Sequence, residues 1–400
     1  MANTFKFGNG NWATKEDSVL AYNDENNNFK PLPFDFTRAS TATYVDSDGL
    51  IKTAANNEAR IDYLGNTNGH LLLEPSKTNS LLHSNQFDTT WSATNLTVTS
   101  GQTGVGGSVD AWKLSSTGSS SRLAQTISTS GQKSYTIYVK KGSLNFIRVF
   151  ARDTGDLNPS AYFDLSKGIV SSEFEVDDAT IKNIGNGWYR CEVVFTKTIQ
   201  DVRIYPAQAN GDISQTSGDI YIQNSQLESG SYATSYIPTS GSAVTRVQDI
   251  CNNGANEQVI NSTEGVLYVE TSALSNDLSE RRFGISDGTS SNVVRVGYTS
   301  VSNRIIAVIY NGSNQAVLTY TAPDITQNSK IAFKYKANDF ALWVDGVERS
   351  TASSGSVFSA NTLNSLDFNI GGGSHFYSKT KDVRLYNTAL TDSELATLTT

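Results

Sequence analysis

The sequence predicts an all-β protein, with an N-terminal β connector followed by two antiparallel β-sandwiches of the jelly-roll type. Tyr (18) and Phe (17) are plentiful, and Gly (31), Ser, Thr and Asn are abundant, which is typical of β-rich proteins. Short segments alternate apolar and polar residues, as strands with one buried face do, and turn residues separate them. With 400 residues the chain is long enough for about two or three domains with separate cores.

Residues 1–33 are predicted to be an attachment segment. They are polar and asparagine-rich, and their aromatic residues are too scattered to form a core of their own. We expect the segment to become ordered on a partner or on another copy of the chain; the alternative is a disordered terminus. The candidate assembly residues are Phe5, Phe7, Trp12, Tyr22 and Phe29.

Residues 34–83 are predicted to form the compact β connector. An alternating segment at 41–45, a turn that ends at Gly49 and a returning apolar pair together predict a hairpin. Two further short strands are predicted at 60–63 and 71–73, and a proline ends the second of them, because proline cannot donate to a strand ladder.

Residues 84–246 are predicted to form the first sandwich, because their strand patterns are short and separated by turns. The clearest patterns are Tyr135–Val139, Phe146–Phe150, Tyr162–Leu165, Trp188–Phe195, Val202–Tyr205 and Ile220–Leu227. The two cysteines, Cys191 and Cys251, lie in different predicted domains, and Cys191 alternates with apolar residues. We therefore predict buried free thiols.

Residues 257–400 are predicted to form the second sandwich. Strand patterns occur at Val266–Glu270, Ile305–Tyr310, Ala316–Tyr320 and Ile331–Lys336. The segment KYKANDFALWVDGVE predicts a hairpin with a turn at Asn338-Asp339 and a second turn at Asp345-Gly346. Thr391, followed three residues later by Glu394, predicts the capped start of one short helix.

Three groups of segments resemble known protein families. The ordered series TRAS-TAT, DSDGLI, EARIDY, LLLEPSKTN and SNQF, within residues 34–87, resembles a module of tailed-bacteriophage virion proteins. FDLSKGIV, GNGWYRCEVVF and IYIQNSQLESGSYATSYIPT resemble the jelly-roll, carbohydrate-binding-module-like domains that follow this module in phage proteins. LWVDGVE, followed by VRLYNTALTDSEL, resembles the concanavalin A-like, laminin-G-like lectin and glucanase sandwich.

The resemblance implies a structural role in a virus particle, as an appendage, a fibre or a surface-decorating subunit. The expected location is the virion, after assembly in the host cytoplasm. The implied partners are other virion proteins, further copies of the same chain, with a trimer favoured over a dimer, and host-surface polysaccharide. A nucleic-acid partner is not expected, because Lys+Arg (31) are fewer than Asp+Glu (39) and no basic run occurs. Nor is membrane insertion, because no apolar run is long enough to span a bilayer.

The acidic run at residues 173–178 is the one arrangement that resembles an active site. In a strand, residues i and i+2 face the same side about 6–7 Å apart, near the separation used by retaining glycosidases. Concanavalin-like glucanases carry a Glu-x-Asp-x-x-Glu strand, but here Glu175 stands at the middle position and the run lies in the other sandwich. We interpret it as a solvated edge and predict a non-enzymatic protein. The alternatives are a polysaccharide-degrading enzyme of concanavalin fold and a purely structural packing subunit.

The sequence predicts no catalytic metal and no cofactor. The three histidines are far apart and lack the spacing of metal-binding motifs. Jelly-roll binding modules often hold a structural Ca²⁺, and oxygen ligands for one exist near Asp219, Gln226 and Glu228.

Sugar binding requires flat aromatic faces together with polar groups for the hydroxyls. Trp343 alternates with Phe340, Leu342 and Val344, so it faces away from them; it is either an outward platform or is covered by the opposing sheet. Trp91, Trp112 and Trp188 are predicted to be core residues instead. The glycan-binding candidates are Trp343, Asp345, His375, Phe376 and Tyr377.

Overall fold

A computed structural model describes residues 5–10, 12–23 and 30–400. Within them the protein is nearly all β, with one α-helix. The strands of the first half of the chain are β1 (Phe5–Gly8), β2 (Thr14–Lys15), β3 (Ser18–Asn23), β4 (Lys30–Thr37), β5 (Ala42–Val45), β6 (Ile51–Ala54), β7 (Ile61–Asp62), β8 (His70–Leu73), β9 (Lys77–Asn79), β10 (Trp91–Thr94), β11 (Leu96–Gln102), β12 (Ala111–Ser116), β13 (Arg122–Thr129), β14 (Gln132–Lys141), β15 (Phe146–Asp153), β16 (Ser160–Asp164), β17 (Ile169–Phe174), β18 (Asp178–Gly185) and β19 (Trp188–Thr196).

The remaining elements follow in chain order. They are β20 (Ile199–Ala207), β21 (Asp219–Ser229), β22 (Val244–Arg246), β23 (Ile250–Asn252), β24 (Glu264–Ala273), β25 (Arg281–Ser286), β26 (Asn292–Tyr298), β27 (Arg304–Asn311), β28 (Asn314–Thr321), β29 (Ser329–Lys336), β30 (Phe340–Val344), β31 (Val347–Ala352), β32 (Ser365–Asp367), β33 (Ser378–Tyr386) and the helix α1 (Asp392–Thr399).

The chain divides into two compact units. Unit 1 contains the described residues up to Thr41, then Ala54–Pro75 and Val247–Thr400, whereas unit 2 contains Ala42–Thr53 and Ser76–Arg246. The predicted connector is therefore not a separate domain. Its hairpin, β5 paired with β6, belongs to unit 2, while β7 and β8 belong to unit 1.

Unit 1 is a sandwich of two antiparallel sheets. Among the described residues, the larger sheet has twelve strands, with the order β23-β4-β3-β1-β33-β24-β29-β30-β31; β2 pairs with β3, and β8 pairs with both β7 and β33. The second sheet has five strands in the order β28-β27-β26-β25-β32. Leu267 and Phe333 of the larger sheet and Phe283 and Ile309 of the smaller one are fully buried in one shared core.

The N-terminal strands form part of this core, which corrects the prediction that residues 1–33 pack only on a partner. β1 pairs with β33, so that Phe7 lies opposite Val383. Phe7 is 2% exposed, and its ring lies 5.2 Å from the rings of Trp12 and Phe34. Phe5 and Tyr22 lie in β1 and β3, although the structure does not describe their side chains, and Phe29 lies outside the described residues. The sequence pattern could not reveal this packing, because the partner strand is at the opposite end of the chain.

A buried ion cluster joins the unit 1 segments of the predicted connector to the chain after Arg246. Asp249 accepts hydrogen bonds from Arg38 (3.1 Å) and Arg60 (2.5 Å), and Arg60 also binds Glu74 (2.7 Å). All four side chains are at most 4% exposed. Burial alone would lower the pKa of Arg60, but the two carboxylates raise it above its usual value. Arg38, Arg60 and Glu74 come from the TRAS, EARIDY and LLLEP segments, respectively. The cluster therefore gives a physical reason for the charged residue in each of these three segments.

Unit 2 is a second sandwich, made of two six-stranded sheets. Their orders are β10-β13-β20-β15-β16-β17 and β11-β12-β21-β14-β19-β18. All six strand patterns predicted for residues 84–246 are present, at β14–β16 and β19–β21. Trp91 and Trp112 are core residues, and Trp188 is 1% exposed. Cys191 and Cys251 are buried free thiols, as predicted, and burial raises the pKa of both.

The predicted turns and the helix cap of unit 1 are confirmed. β29, β30 and β31 form consecutive hairpins, and the turn residues Asn338 and Asp345 have φ of 59° and 51°, which Asn and Asp tolerate better than most side chains. Thr391 caps α1, and the Glu394 side chain accepts hydrogen bonds from the Thr391 backbone N–H and hydroxyl. No helix in the described part of the chain has the length and hydrophobicity needed to cross a bilayer.

Candidate functional site

The region around Trp343 on the outward face of the larger sheet in unit 1 is covered, which corrects the prediction that Trp343 is a platform. Trp343 is 8% exposed and lies in a separate apolar cluster with Tyr268 and with Leu395 and Leu398 of α1. The capped helix α1 packs on Trp343. The side chain is therefore neither exposed to solvent nor covered by the opposing sheet. Asp345 is exposed, and its Oδ1 accepts a hydrogen bond from the Lys330 backbone N–H (2.8 Å).

The three candidates at residues 375–377 separate into core and surface. Phe376 is 1% exposed and stacks on Tyr298 in the core, so it cannot reach a ligand. His375 and Tyr377 remain partly exposed, and their rings stack at 5.4 Å with an interplanar angle of 19°. The Tyr377 hydroxyl donates to Oε1 of Gln248 (2.9 Å). Partial burial lowers the pKa of His375 below its usual range, which favours the neutral imidazole at neutral pH.

His375 lies beside the outer edge of the five-stranded sheet. It pairs with Arg282 of β25, and Arg282 lies opposite Gly297 of β26. Directly paired residues in a sheet project to the same face. The register of β25, β26 and β27 defines the outer face of this sheet, which is the side away from the core. The central residues of the outer face are Arg282, Gly284, Arg295, Gly297, Ile306, Val308, Tyr310 and His375.

Two arginines that sequence reasoning missed lie side by side on this outer face. Arg295 lies opposite Gly284, and Arg282 opposite Gly297, so the two arginines are diagonal neighbours, about 7–8 Å apart at the backbone. Arg282 donates to Glu280 (2.6 Å). The alternation of residues along β25 and β26 places each arginine on the face opposite its apolar neighbours in sequence. Only the register between the two strands brings the two arginines together.

The two glycines opposite the arginines allow β25 and β26 to approach closely. A Cβ atom at Gly284 would lie 2.3 Å from the Val294 carbonyl oxygen, and one at Gly297 would lie 1.9 Å from the Arg281 carbonyl oxygen. No side chain can therefore be added at either position without moving the backbone. Neither glycine therefore contributes a side chain to the outer face, and both are buried.

Tyr310 adds an aromatic ring to the outer face. It lies opposite Val293 and is partly exposed, and its hydroxyl has no hydrogen-bond partner among the described residues. Val293 and Val308, on the same face, are each only 2% exposed, so the larger side chains around them form the accessible surface. An aromatic ring and guanidinium groups together offer both stacking and hydrogen bonding to a ligand.

A small polar pocket lies elsewhere in unit 1. It has a volume of about 250 Å³, and its lining includes the amide side chains of Gln258, Asn261, Asn361 and Asn387. The Asn261 side chain already donates to the Asn387 backbone carbonyl (2.8 Å) and accepts from Thr263. The pocket has no aromatic lining, so it could offer hydrogen bonds but no stacking surface.

The acidic run of unit 2 does not form a pair of carboxylates on one strand face. Glu173 lies in β17, the edge strand of its sheet, whereas Glu175 lies beyond the strand end with φ of 55°. Glu175 forms an ion pair with Lys197 (2.8 Å), and Asp177 accepts a hydrogen bond from Thr196 (2.6 Å). This geometry matches the predicted solvated edge.

The oxygens considered for a structural Ca²⁺ do not fit one ion. Asp219 and Glu228 lie nine positions apart in β21, which corresponds to about 30 Å in an extended strand. Asp219 accepts hydrogen bonds from Ser143, Gln226 accepts one from the Ile237 backbone, and Glu228 accepts two from Thr234. Among the described residues, no group of three or more His, Cys, Asp and Glu side chains could hold a metal ion.

Comparison with known proteins gives similarities for parts of the chain. Residues 269–396 match a laminin G family of the concanavalin A-like lectin/glucanases superfamily. A comparison with curated protein sequences finds no significant match.

Solved structures with similar regions are only distantly related. They include the CBM40 module of a Ruminococcus gnavus IT-sialidase bound to α2,3-sialyllactose (13% identity, 37% of this chain and 94% of that one, TM-score 0.31). They also include domains LG4-5 of the mouse laminin α1 chain (11%, 78% and 91%, 0.25) and a putative carbohydrate-binding protein from Bacteroides ovatus (11%, 72% and 78%, 0.28). Residues 269–396, in the C-terminal part of unit 1, are thus similar to concanavalin A-like, laminin-G-like domains.

Proposed function

We propose that this protein binds glycans without cleaving them, and that it does so through the outer face of the five-stranded sheet in unit 1. The observation that carries the proposal is the arrangement on that face, where Tyr310 and His375 flank the pair Arg282 and Arg295. Ring faces suit the C–H surfaces of sugars, and guanidinium groups suit their oxygens. On the larger sheet of the same unit, the region around Trp343 lies under α1.

A glycan array probed with the full chain tests this proposal. We expect the wild-type protein to bind one group of glycans, and Tyr310→Ala to bind the same group at least several-fold more weakly. Tyr221→Ala is the matched control, because Tyr221 is a partly exposed strand tyrosine of unit 2. Absence of binding to every glycan, or loss of binding in Tyr221→Ala alone, would contradict the proposal.

The non-enzymatic part of the proposal rests on the separated carboxylates of the acidic run. General acid–base cleavage of a glycosidic bond needs two carboxyl groups that face the same bond, and Glu173 and Glu175 do not share a strand face. We expect no new reducing ends when the protein is incubated with a polysaccharide panel. Cleavage by the wild type that is lost in Glu175→Gln would favour a polysaccharide-degrading enzyme instead.

We further propose that the protein is a structural component of a tailed-phage particle, either an appendage, a fibre or a decoration subunit, and that it assembles as a homo-oligomer, with a trimer favoured. The support is the ordered series of segments within residues 34–87. Antibodies raised against the purified chain should label intact particles, and mass measurement in solution should give three copies. Particles that contain no copy of the chain would contradict the virion role, and a monomer at micromolar concentration would contradict the oligomer.

A further inference from the structure

We propose that the outer face of the five-stranded sheet binds a negatively charged group of a glycan between Arg295 and Arg282. This inference rests on the proposed glycan binding and adds the class of ligand, an acidic oligosaccharide that carries a carboxylate or a sulfate. Both groups present two or more oxygens to which a guanidinium can donate in parallel.

Within the described part of the chain, Arg295 has no carboxylate partner, whereas several other arginines of unit 1 do; the partly exposed Arg304 and Arg349 also lack one. Arg281 donates to Asp277 (2.7 Å) and Arg384 to Asp382 (2.6 Å), and the arginines of the buried ion cluster also bind carboxylates. Among the described residues, no carboxylate lies within ion-pair distance of Arg295. Burying a charge without a partner is costly, so an anion supplied from outside would be stabilised there.

The electrostatic surroundings of Arg295 also favour an anion beside it. Burial, followed by the neighbouring charge of Arg282, lowers the pKa of Arg295 to about 10, and the charge of Glu280 opposes this in part; the side chain remains charged at neutral pH. An anion beside Arg295 would relieve both the desolvation and the repulsion. Glu280 is half-exposed and is bound to Arg282, beyond ion-pair distance of Arg295.

Arg282 can act as the second donor. Its Nη2 donates to Glu280, whereas its Nη1 has no hydrogen-bond partner within the described residues. The register places Arg282 diagonally beside Arg295, with Gly284 and Gly297 between them. Since neither glycine has a side chain, no side chain at these two positions separates the guanidinium groups, and one anionic group can contact both.

The aromatic rings on either side of the arginines suit the rest of a sugar ring. Tyr310 lies two residues beyond Val308, which is the partner of Arg295, and His375 pairs with Arg282. A simple inorganic anion would gain nothing from these rings. The arrangement therefore favours an acidic sugar over a free ion.

Calorimetric titration of the full chain with matched pairs of oligosaccharides tests this inference. The probes are uronic-acid oligosaccharides and their carboxyl-reduced forms, together with sulfated oligosaccharides and their desulfated forms. The wild type should bind one acidic form at least about tenfold more tightly than its neutral counterpart, as expected when a charge-assisted hydrogen-bond pair is lost. Which pair shows the difference identifies the anionic group.

Variants assign the preference to the two arginines. Arg295→Gln should remove the preference for the acidic form, so that the acidic and neutral forms bind with similar affinity, and Arg295→Lys should keep part of the preference, because lysine retains the charge but lacks the paired donors. Lys336→Gln, which removes an exposed charge from the other sheet, is the control and should keep the preference. Thermal unfolding of each variant checks that it is folded.

The outcomes separate this inference from the proposed function. Equal binding of acidic and neutral forms by the wild type would overturn the anionic site but leave glycan binding intact. A preference that survives in Arg295→Gln would also overturn it. Failure to bind any oligosaccharide would overturn both proposals.

Discussion

The outward faces of the two sheets in unit 1 differ in how far their side chains are exposed. On the larger sheet, Trp343 is covered by Leu395 and Leu398 of α1. On the five-stranded sheet, no helix of the described residues lies over Arg282 and Arg295, and Tyr310 remains partly exposed. A sandwich has only one core, so an outward face needs a second element before it can bury an aromatic ring. The difference teaches that exposure of a strand residue depends on elements far away in sequence as much as on alternation.

The largest effect on stability is expected at Trp343, beneath α1. Trp343→Ala should lower the free energy of unfolding by about 3–5 kcal/mol, because it removes a large buried side chain and leaves a cavity beneath α1. Chemical denaturation monitored by circular dichroism measures the change. Tyr310→Ala, on the open face, is the comparison and should cost less than about 1 kcal/mol. Equal costs for the two variants would mean that the faces do not differ in burial.

A smaller effect is expected where the open sheet is tightly constrained. Gly284→Ala places a Cβ atom 2.3 Å from the Val294 carbonyl oxygen, and the resulting shift of β25 against β26 should cost about 1–3 kcal/mol. Gly288→Ala, at a turn with φ of 85° and no atom within 4 Å of the added Cβ, tests backbone strain without a clash. Denaturation midpoints give both values. If Gly284→Ala were as stable as the wild type, the two strands would not be as close as the structure has them.

The smallest stability effect is expected at the helix cap. Thr391→Ala removes the hydroxyl that accepts from the Glu394 N–H and should lower the free energy of unfolding by about 1 kcal/mol. The loss should loosen α1 and raise hydrogen exchange at Trp343, while exchange in β25 and β26 stays unchanged. Thr397→Ala, in the same helix but away from its start, is the control. Unchanged exchange at Trp343 in Thr391→Ala would argue that α1 does not protect this face.

Much of the fold could be predicted from local patterns. Alternation located the central strands of both sandwiches, turn residues such as Asn338 and Asp345 located the hairpins, and Thr391 with Glu394 located the helix start. Each of these signals acts over a few residues, and the physics that produces them is equally local.

The unpredicted features all depend on distant pairing. The burial of Phe7 requires β1 to pair with β33, and the ion cluster requires Asp249 to meet Arg38 and Arg60. The candidate site has the same origin, because His375, Arg282 and Arg295 become neighbours only through the register of three chain segments. Two of the five residues proposed as glycan-binding candidates, His375 and Tyr377, remain on or beside this surface, whereas Trp343 and Phe376 are buried.

The measurement that tests the central claim most directly is a calorimetric titration of one glycan selected on the array into three forms of the full chain: the wild type, Tyr310→Ala and Trp343→Phe. Trp343→Phe keeps an aromatic ring beneath α1 and so limits the loss of packing. If the open face binds the glycan, Tyr310→Ala should weaken the affinity at least several-fold and Trp343→Phe should leave it unchanged. Loss of affinity in Trp343→Phe, with full affinity in Tyr310→Ala, would contradict the account.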